Sequence, residues 1–316
     1  MKNIIIIRPH THEDWLKLRG QGIGSSEIAT VIGLNQYETP YQLWRRKKGF
    51  DKPNQENFAM KAGHYLEDAV ARFWADETHK TIIKRSAGDW IIQRKDNPIF
   101  RVSPDRTYWL SGSKADGRGI LECKTTQKQI DSDNLPKTWF CQVQYLLGTA
   151  GLQQGSLAWL TAGREFGYKN IALVPDFYEW LCEEAQKFWT DYIIGDAIPS
   201  PINSADILLK YGNSTQAKEI EATDRIISDC KTLHQIRDAI SELEGKENEL
   251  MENIKMYMQD AEYLVSNGQS IASWKSPKKT RKFDAKAFCK DNPVEAEHYM
   301  IEQQGSRRFI LNKIIN

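Results

Sequence analysis

Paired cysteines are missing from this 316-residue chain. Its five cysteines, Cys123, Cys141, Cys182, Cys230 and Cys289, lie at least 18 positions apart, so no CxxC unit exists for zinc or redox chemistry. The six histidines show neither HExxH nor HxxxH spacing, so any bound metal is expected on carboxylates. Long apolar runs are missing too. The isoleucines from Ile4 to Ile7 are too few for a signal-peptide core or a membrane span, so neither secretion nor membrane insertion is expected. Scattered thiols in such a chain are expected to stay reduced in the cytoplasm. Net charge is also nearly absent. With 43 basic and 42 acidic residues the formal total is +1, which by itself gives no sign of a nucleic-acid partner. What is plentiful is core-forming material. The 10 Trp, 12 Tyr and 11 Phe exclude a disordered polymer, and the length suits about two domains.

Periodicity predicts helices over 13–19, 28–32, 41–48 and 59–77, the last from Ala62, Leu66, Val70, Phe73 and Trp74 at three-to-four spacing. Short segments rich in Ile, Val, Trp and Tyr follow at 81–85, 89–93, 99–103, 106–110 and 119–124. They are separated by Gly, Asn, Pro or Asp and read as strands, with a turn at 111–117. A helix over 137–149, strands at 155–161 and 170–174 and a helix over 176–193 complete an α/β or α+β domain. Ile198-Pro199-Ser200-Pro201 marks its end. The expected organisation is a domain at 1–200, a linker at 201–222 and a C-terminal helical and α+β extension at 223–316.

Ser103-Pro104-Asp105 and Glu122-Cys123-Lys124 are 17 residues apart and sit on predicted strands. Residues two apart on a strand share a face, so Glu122 and Lys124 project together while Cys123 turns away. Pairing of the two strands would bring two carboxylates and an ammonium together. That set suits phosphodiester hydrolysis. A Mg²⁺ ion offsets phosphate charge and acidifies water, and it prefers oxygen ligands. Asp105 and Glu122 would supply them, with the Cys123 backbone carbonyl as a third. Lys124 would orient or help deprotonate water and stabilise negative charge. Alone, the spacing is weak, because half-exposed sheets carry such salt bridges routinely.

Three further segments sharpen it: Gly63-His64-Tyr65-Leu66-Glu67, Gln142-Val143-Gln144-Tyr145, and Trp15-Leu16-Lys17-Leu18-Arg19 followed by Gly24-Ser25-Ser26-Glu27-Ile28. The ordered set resembles the YqaJ-type viral recombinase family, to which phage λ exonuclease is related, within the PD-(D/E)xK nuclease superfamily. The resemblance covers residues 13–195. It implies a restriction-endonuclease-like core, a central mixed sheet flanked by helices. It also implies an ATP-independent, Mg²⁺-dependent 5′→3′ exonuclease on double-stranded DNA ends, with Mn²⁺ as a substitute and one or two ions per site. Such a phage or prophage enzyme would act in the bacterial cytoplasm and leave 3′ single strands for a RecT- or Redβ-like annealing protein. By the same analogy it would be a homo-oligomer, with a trimeric ring as one form.

Residue by residue, the resemblance matches Asp105 and Glu122 to the metal carboxylates and Lys124 to the catalytic lysine. Glu67 matches the glutamate that completes the acidic site, and Gln142 or Gln144 a site glutamine. Arg19 and Ser26 match the pair that receives the 5′-phosphate. This chain carries one extra residue between them, which leaves Ser25 as the alternative. A structure-specific or restriction-like endonuclease would use the same metal site without needing a DNA end. An iron–sulfur nuclease lacks its cysteine cluster here.

Beyond the resemblance, residues 223–264 carry a heptad stripe. It reads as a long helix or helical hairpin that packs on its own domain or forms an intermolecular coiled coil. A strand at 271–275, helices begun by Asp284 and after Pro293, and a strand at 307–311 are expected after it. Lys275, Lys278, Lys279, Arg281, Lys282, Lys286 and Lys290 face Asp284 alone, with Trp274, Phe283 and Phe288 interleaved. Such a block suits either DNA phosphates or a solvated face.

Overall fold

The computed structural model describes residues 3–51, 57–83, 90–111, 117–302, 305 and 307–312. The chain divides into two compact units, Met1–Lys210 and Tyr211–Asn316.

In the first unit, β1 (Ile4–Ile7) precedes three helices, α1 (His12–Gly20), α2 (Ile28–Val31) and α3 (Pro40–Lys47). Thr11 caps α1 by accepting from the Asp14 N–H, and Thr39 with Gln42 forms a reciprocal capping box on α3, ahead of Pro40. The long α4 (Phe58–Thr78) begins at the Asn57 cap and ends at His79 in the left-handed region. Next come β2 (Ile82–Ile83), β3 (Ile91–Arg94), β4 (Arg101–Val102), β5 (Arg106–Trp109) and β6 (Arg118–Thr126). Then follow α5 (Lys137–Ala150), β7 (Gln154–Thr161), β8 (Glu165–Ala172) and α6 (Pro175–Phe188), which runs into a π-helical turn at Trp189–Ile194.

The main sheet has the order β2-β5-β6-β7-β8, and β6–β7 is its parallel pair, bridged by α5. This is a mixed sheet with helices on both faces. Such a position buries the central strands on both sides, and seven of the eight residues of β7 are buried. On one face Val143, Leu146 and Leu147 of α5 meet Leu157 and Ile120; on the other Val70 and Trp74 of α4 meet Leu121, Ala158 and Tyr108. The Trp74 and Tyr108 rings lie 4.4 Å apart. A smaller sheet, β1-β3-β4, covers the α5 side. Gly148 lets the Tyr178 ring lie against the α5 backbone, where an added Cβ would overlap it.

Several elements depart from the sequence reading. The Ile4 to Ile7 run is strand β1, paired antiparallel to β3. β8 starts at Glu165 rather than 170: it is an edge strand whose polar and glycine positions carry little apolar signal, and Gly167 makes room for the Trp159 ring. The stretch expected as a linker holds α7 (Ser204–Tyr211). Its buried Asp206 accepts from the Thr39 hydroxyl (2.9 Å) and the Ile202 N–H (3.1 Å), which ties this segment to the α3 cap. Positions 84–89 and 112–116, within the expected strands and turn, lie outside the described residues.

The second unit contains α8 (Asp224–Met258), a single helix of 35 residues capped by Thr223. The heptad pattern runs on to Leu264, yet the helix stops at Gln259, whose φ of 52° is left-handed. β9 (Tyr263–Ser266) and β10 (Gln269–Ser273) then form a hairpin across Asn267-Gly268, both with positive φ, an Asn-Gly turn signal the heptad reading overran. α9 (Ala285–Asp291) is capped by Asp284, and α10 (Pro293–Glu297) follows. Residues 307–312 are not a strand, which corrects that expectation. Gly245 lies inside α8 with nothing within 4 Å of where a Cβ would stand. Gly245→Ala should therefore stabilise the helix by about 0.5–1 kcal/mol, read as a higher melting midpoint by circular dichroism.

Candidate active site

β5 and β6 pair antiparallel with Arg106 opposite Leu121, which sets Asp105 beside Glu122 and Cys123. The Cys123 N–H donates to Asp105 Oδ2 at 2.7 Å. The Cys123 side chain turns to the α4 face and packs against the cluster around Val70 and Trp74. Glu122 and Lys124 project to the α5 side. There Lys124 Nζ donates to Glu122 Oε1 (2.8 Å) and to Gln142 Oε1 (2.9 Å), and Gln142 Nε2 donates to the same Glu122 oxygen. The three side chains form a closed ring. The second Glu122 oxygen, Oε2, is buried and has no hydrogen-bond partner.

The electrostatics are those of concentrated negative charge. Burial, then the neighbouring Glu122 and Glu67, push the Asp105 carboxyl well above the usual carboxylate range; Lys124 and the Cys123 N–H oppose this only in part. Burial works against the Lys124 ammonium, but Glu122 and Asp105 outweigh it and hold the group above the usual lysine value.

A buried carboxylate oxygen without a donor, beside a carboxylate under like-charge pressure, fits a divalent cation held by Asp105 and Glu122. Among the described residues no cluster of three or more His, Cys, Asp and Glu side chains could hold a metal. The site thus offers two carboxylates, and backbone or water oxygens must complete the shell. Mg²⁺ accepts such a shell, because it commonly binds through one or two carboxylates and keeps waters.

One candidate residue has a competing partner here, and one lies elsewhere. Glu67, expected as a metal ligand, reaches the site from α4, but its carboxylate is engaged by Arg106 Nη1. Arg106 also donates to the Asp105 carbonyl at 2.7 Å. Gln144 is not in the site. It is fully buried on the far side of α5, where it donates to the Ala172 carbonyl (2.9 Å) and accepts from the Val174 N–H (2.8 Å), joining α5 to the end of β8. Of the two glutamines, Gln142 is the one beside Glu122.

Arg19, on the last turn of α1, reaches the Ser26 hydroxyl, and its guanidinium lies 4.9 Å from the Trp15 ring centre. Ser26 is exposed, whereas Ser25 is buried. The loop carrying them is held from below. Glu27, itself buried, accepts from the Gly24 N–H (2.9 Å) and pairs with Lys47 (2.9 Å) and Arg46 (3.2 Å). Lys47 also donates to the Gly22 carbonyl at 2.7 Å. Burial opposes ionisation of Glu27, but Lys47, Arg46 and Arg19 overcome it and hold the carboxyl below its usual range. Arg101 fixes the end of α1 by donating to Leu18 O and Gln21 Oε1. The sequence reading missed Arg106, Arg101 and Lys47: each acts on a group 20 or more positions away, which no local spacing shows.

One cavity of about 890 Å³ joins the two groups. Its walls include Arg19, Ser25 and Ser26 together with Glu67, Asp105, Glu122 and Gln142. Lys275, Lys278, Lys279, Arg281 and Lys282 belong to the second unit, on the exposed stretch between β10 and α9, where the Lys275 ammonium lies 4.1 Å from the Tyr263 ring centre. No helix among the described residues is long and apolar enough to cross a membrane.

Asp105, just before β5, lies beside Glu122-x-Lys124 on β6 of the mixed sheet, the arrangement that the resemblance to the PD-(D/E)xK superfamily implies. Within it, the family model for the YqaJ-like viral recombinase domain matches residues 14–153. The YqaJ protein of Bacillus subtilis (strain 168) is 30% identical over 317 residues, covering 96% of this chain and 95% of its own. The chain belongs to the YqaJ family. Among solved structures, it is similar to LHK-Exo, an alkaline exonuclease from Laribacter hongkongensis. The identity is 16%, covering 58% of this chain and 93% of that one, with a TM-score of 0.45. A phage-related exonuclease from Haemophilus somnus 129PT is 12% identical, covering 55% and 95%, with a TM-score of 0.40.

Proposed function

We propose that the protein is an ATP-independent, Mg²⁺-dependent exonuclease that degrades the 5′ strand from double-stranded DNA ends. The 3′ tails it leaves would suit a RecT- or Redβ-like annealing protein. The observation that carries this reading is the shared cavity, with an end-binding pair at one part of its wall and an acidic pair at another. Family membership supports it.

Asp105 and Glu122 would hold the ion, with the Cys123 carbonyl as a candidate third ligand. When bound, Mg²⁺ or Mn²⁺ supplies Lewis acidity, neutralising phosphate charge and acidifying water. The engagement of Glu67 by Arg106 favours one ion over two. Lys124 orients the attacking water or helps to deprotonate it, and stabilises developing negative charge. Arg19 and Ser26 receive the terminal 5′-phosphate, and Ser25 backs the loop. A fixed span between anchor and acids would release one nucleotide per cut and recreate the same end. The exposed basic stretch at 275–282 adds phosphate contacts, which weaken with salt.

Linear and covalently closed circular duplexes of equal sequence test the end requirement. Degradation of the linear form alone is expected; efficient cutting of the circle would establish the endonuclease reading instead. Arg19→Ala should slow cleavage roughly 10- to 100-fold on 5′-phosphorylated ends, the range for a hydrogen bond to a charged group. On 5′-hydroxyl ends the loss should be much smaller. Initial rates on the two substrates check this, and equal losses would remove the phosphate-anchor role.

A further inference from the structure

The heptad stripe of α8 is not absorbed by the nuclease reading. At 1.5 Å per residue the helix is about 52 Å long, and Met258 is the one buried residue in it. Ile226, Leu233, Ile240 and Ile254 occupy one seam position. Ile236, Leu243, Leu250 and Tyr257 occupy the other. Glu247 and Asp229 complete the two sets. Leu233 is half-buried, while Leu243, Leu250 and Tyr257 are 65%, 64% and 79% exposed. Five heptads of this kind draw their stability from a partner helix rather than from propensity.

The seam's two acids decide the partner's direction. In a parallel in-register bundle, two- or three-stranded, Glu247 meets Glu247 and Asp229 meets Asp229, placing like charges together at the core. Antiparallel pairing removes both clashes. With Ile240 opposite the partner's Leu243, Leu233 meets the partner's Leu250 and Ile226 meets the partner's Tyr257. Glu247 then faces the partner's Ile236, and Asp229 the partner's Ile254. This register overlaps the two helices along their full length. It also places Arg237, on the flank of the seam, beside the partner's Glu244, twice by symmetry. Parallel pairing offers no such complementary flank.

We propose that α8 binds α8 of a second copy of this chain as an antiparallel two-stranded coiled coil. The proposal is independent of the nuclease reading. Its test uses the full chain with Leu233→Cys and Leu250→Cys, in a background of Cys230→Ser and Cys289→Ser to remove competing thiols. Mild oxidation should give a covalent dimer whose peptide map links position 233 of one chain to 250 of the other. Links of 233 to 233 and 250 to 250 would overturn the antiparallel arrangement. Sedimentation equilibrium of the unaltered protein should show self-association that Leu243→Glu weakens at least tenfold. A monomer at tens of micromolar, or association that Leu243→Glu leaves unchanged, would overturn the proposal as well.

Discussion

Lys124→Ala is expected to abolish cleavage, with a loss on the order of 10³-fold or more, while binding to DNA ends is retained. The magnitude follows from what the ammonium does. A positioned donor aimed at developing charge in a water-poor site contributes roughly 10²–10³-fold in rate. Lys124 also closes the ring that orients Glu122 and Gln142, so its loss acts twice. On the proposed reading, end binding rests instead on Arg19 and Ser26, which lie on another part of the cavity wall. Removing Lys124 leaves the buried Glu122 carboxylate short of a counter-charge, so the metal-free variant should melt lower and regain stability when Mg²⁺ is added. Single-turnover cleavage, end binding by fluorescence anisotropy and a melting curve separate the three effects. Turnover equal to the unaltered protein would remove Lys124 from the mechanism.

Lys47→Met has the largest expected effect on stability, about 3 kcal/mol or more, because it strands one member of a buried ion pair. The side chains of Glu27 and Lys47 are 7% and 2% exposed, so water cannot replace the lost partner. Arg46 remains beside Glu27 but is shared with Glu38 at 2.8 Å. The double change Lys47→Met with Glu27→Gln should recover part of the loss, since no uncompensated carboxylate stays buried. Glu27 contributes stability above the usual carboxylate range, lost as pH falls through its lowered folded value. Lys47→Met should therefore be least harmful in acid, where Glu27 is protonated. Denaturant midpoints at neutral and acidic pH check both statements. The same variant loosens Gly22 and Gly24, so it should also blunt the preference for 5′-phosphorylated ends.

The site was legible where its logic is local. Glu122 and Lys124 share a strand face two residues apart, and Ser103-Pro104-Asp105 marks the neighbouring strand; their pairing was a condition of the sequence reading, and β5 and β6 meet it. Choices between near neighbours were not legible. Gln142 and Gln144 differ by half a helical turn, and only packing shows that one meets Glu122 while the other joins α5 to β8. Long-range partners were hidden for a different reason. Arg106 has no spacing that announces Glu67 on a helix 39 positions earlier. At the level of fold, continuously apolar strands such as β7 were read correctly, whereas the polar edge strand β8 began earlier than its apolar part. The end of α8 was overrun because a heptad pattern carried past an Asn-Gly turn.

The nearly neutral total charge conceals unlike regions. Residues 216–262 hold 6 basic and 12 acidic residues, and residues 275–290 hold seven basic residues against Asp284. In the first unit, acidity gathers at Asp105, Glu122 and Glu67, where it suits a cation rather than repelling a substrate outright. Bulk charge therefore did not bear on whether DNA is bound.

The most direct measurement is digestion of a linear duplex labelled separately at each 5′ and 3′ end, with and without Mg²⁺. The account predicts Mg²⁺-dependent release of the 5′ label as a mononucleotide, with the 3′-labelled strand shortening from its far end and losing its label only last. Release of the 3′ label first, or degradation that persists after chelation, would contradict it.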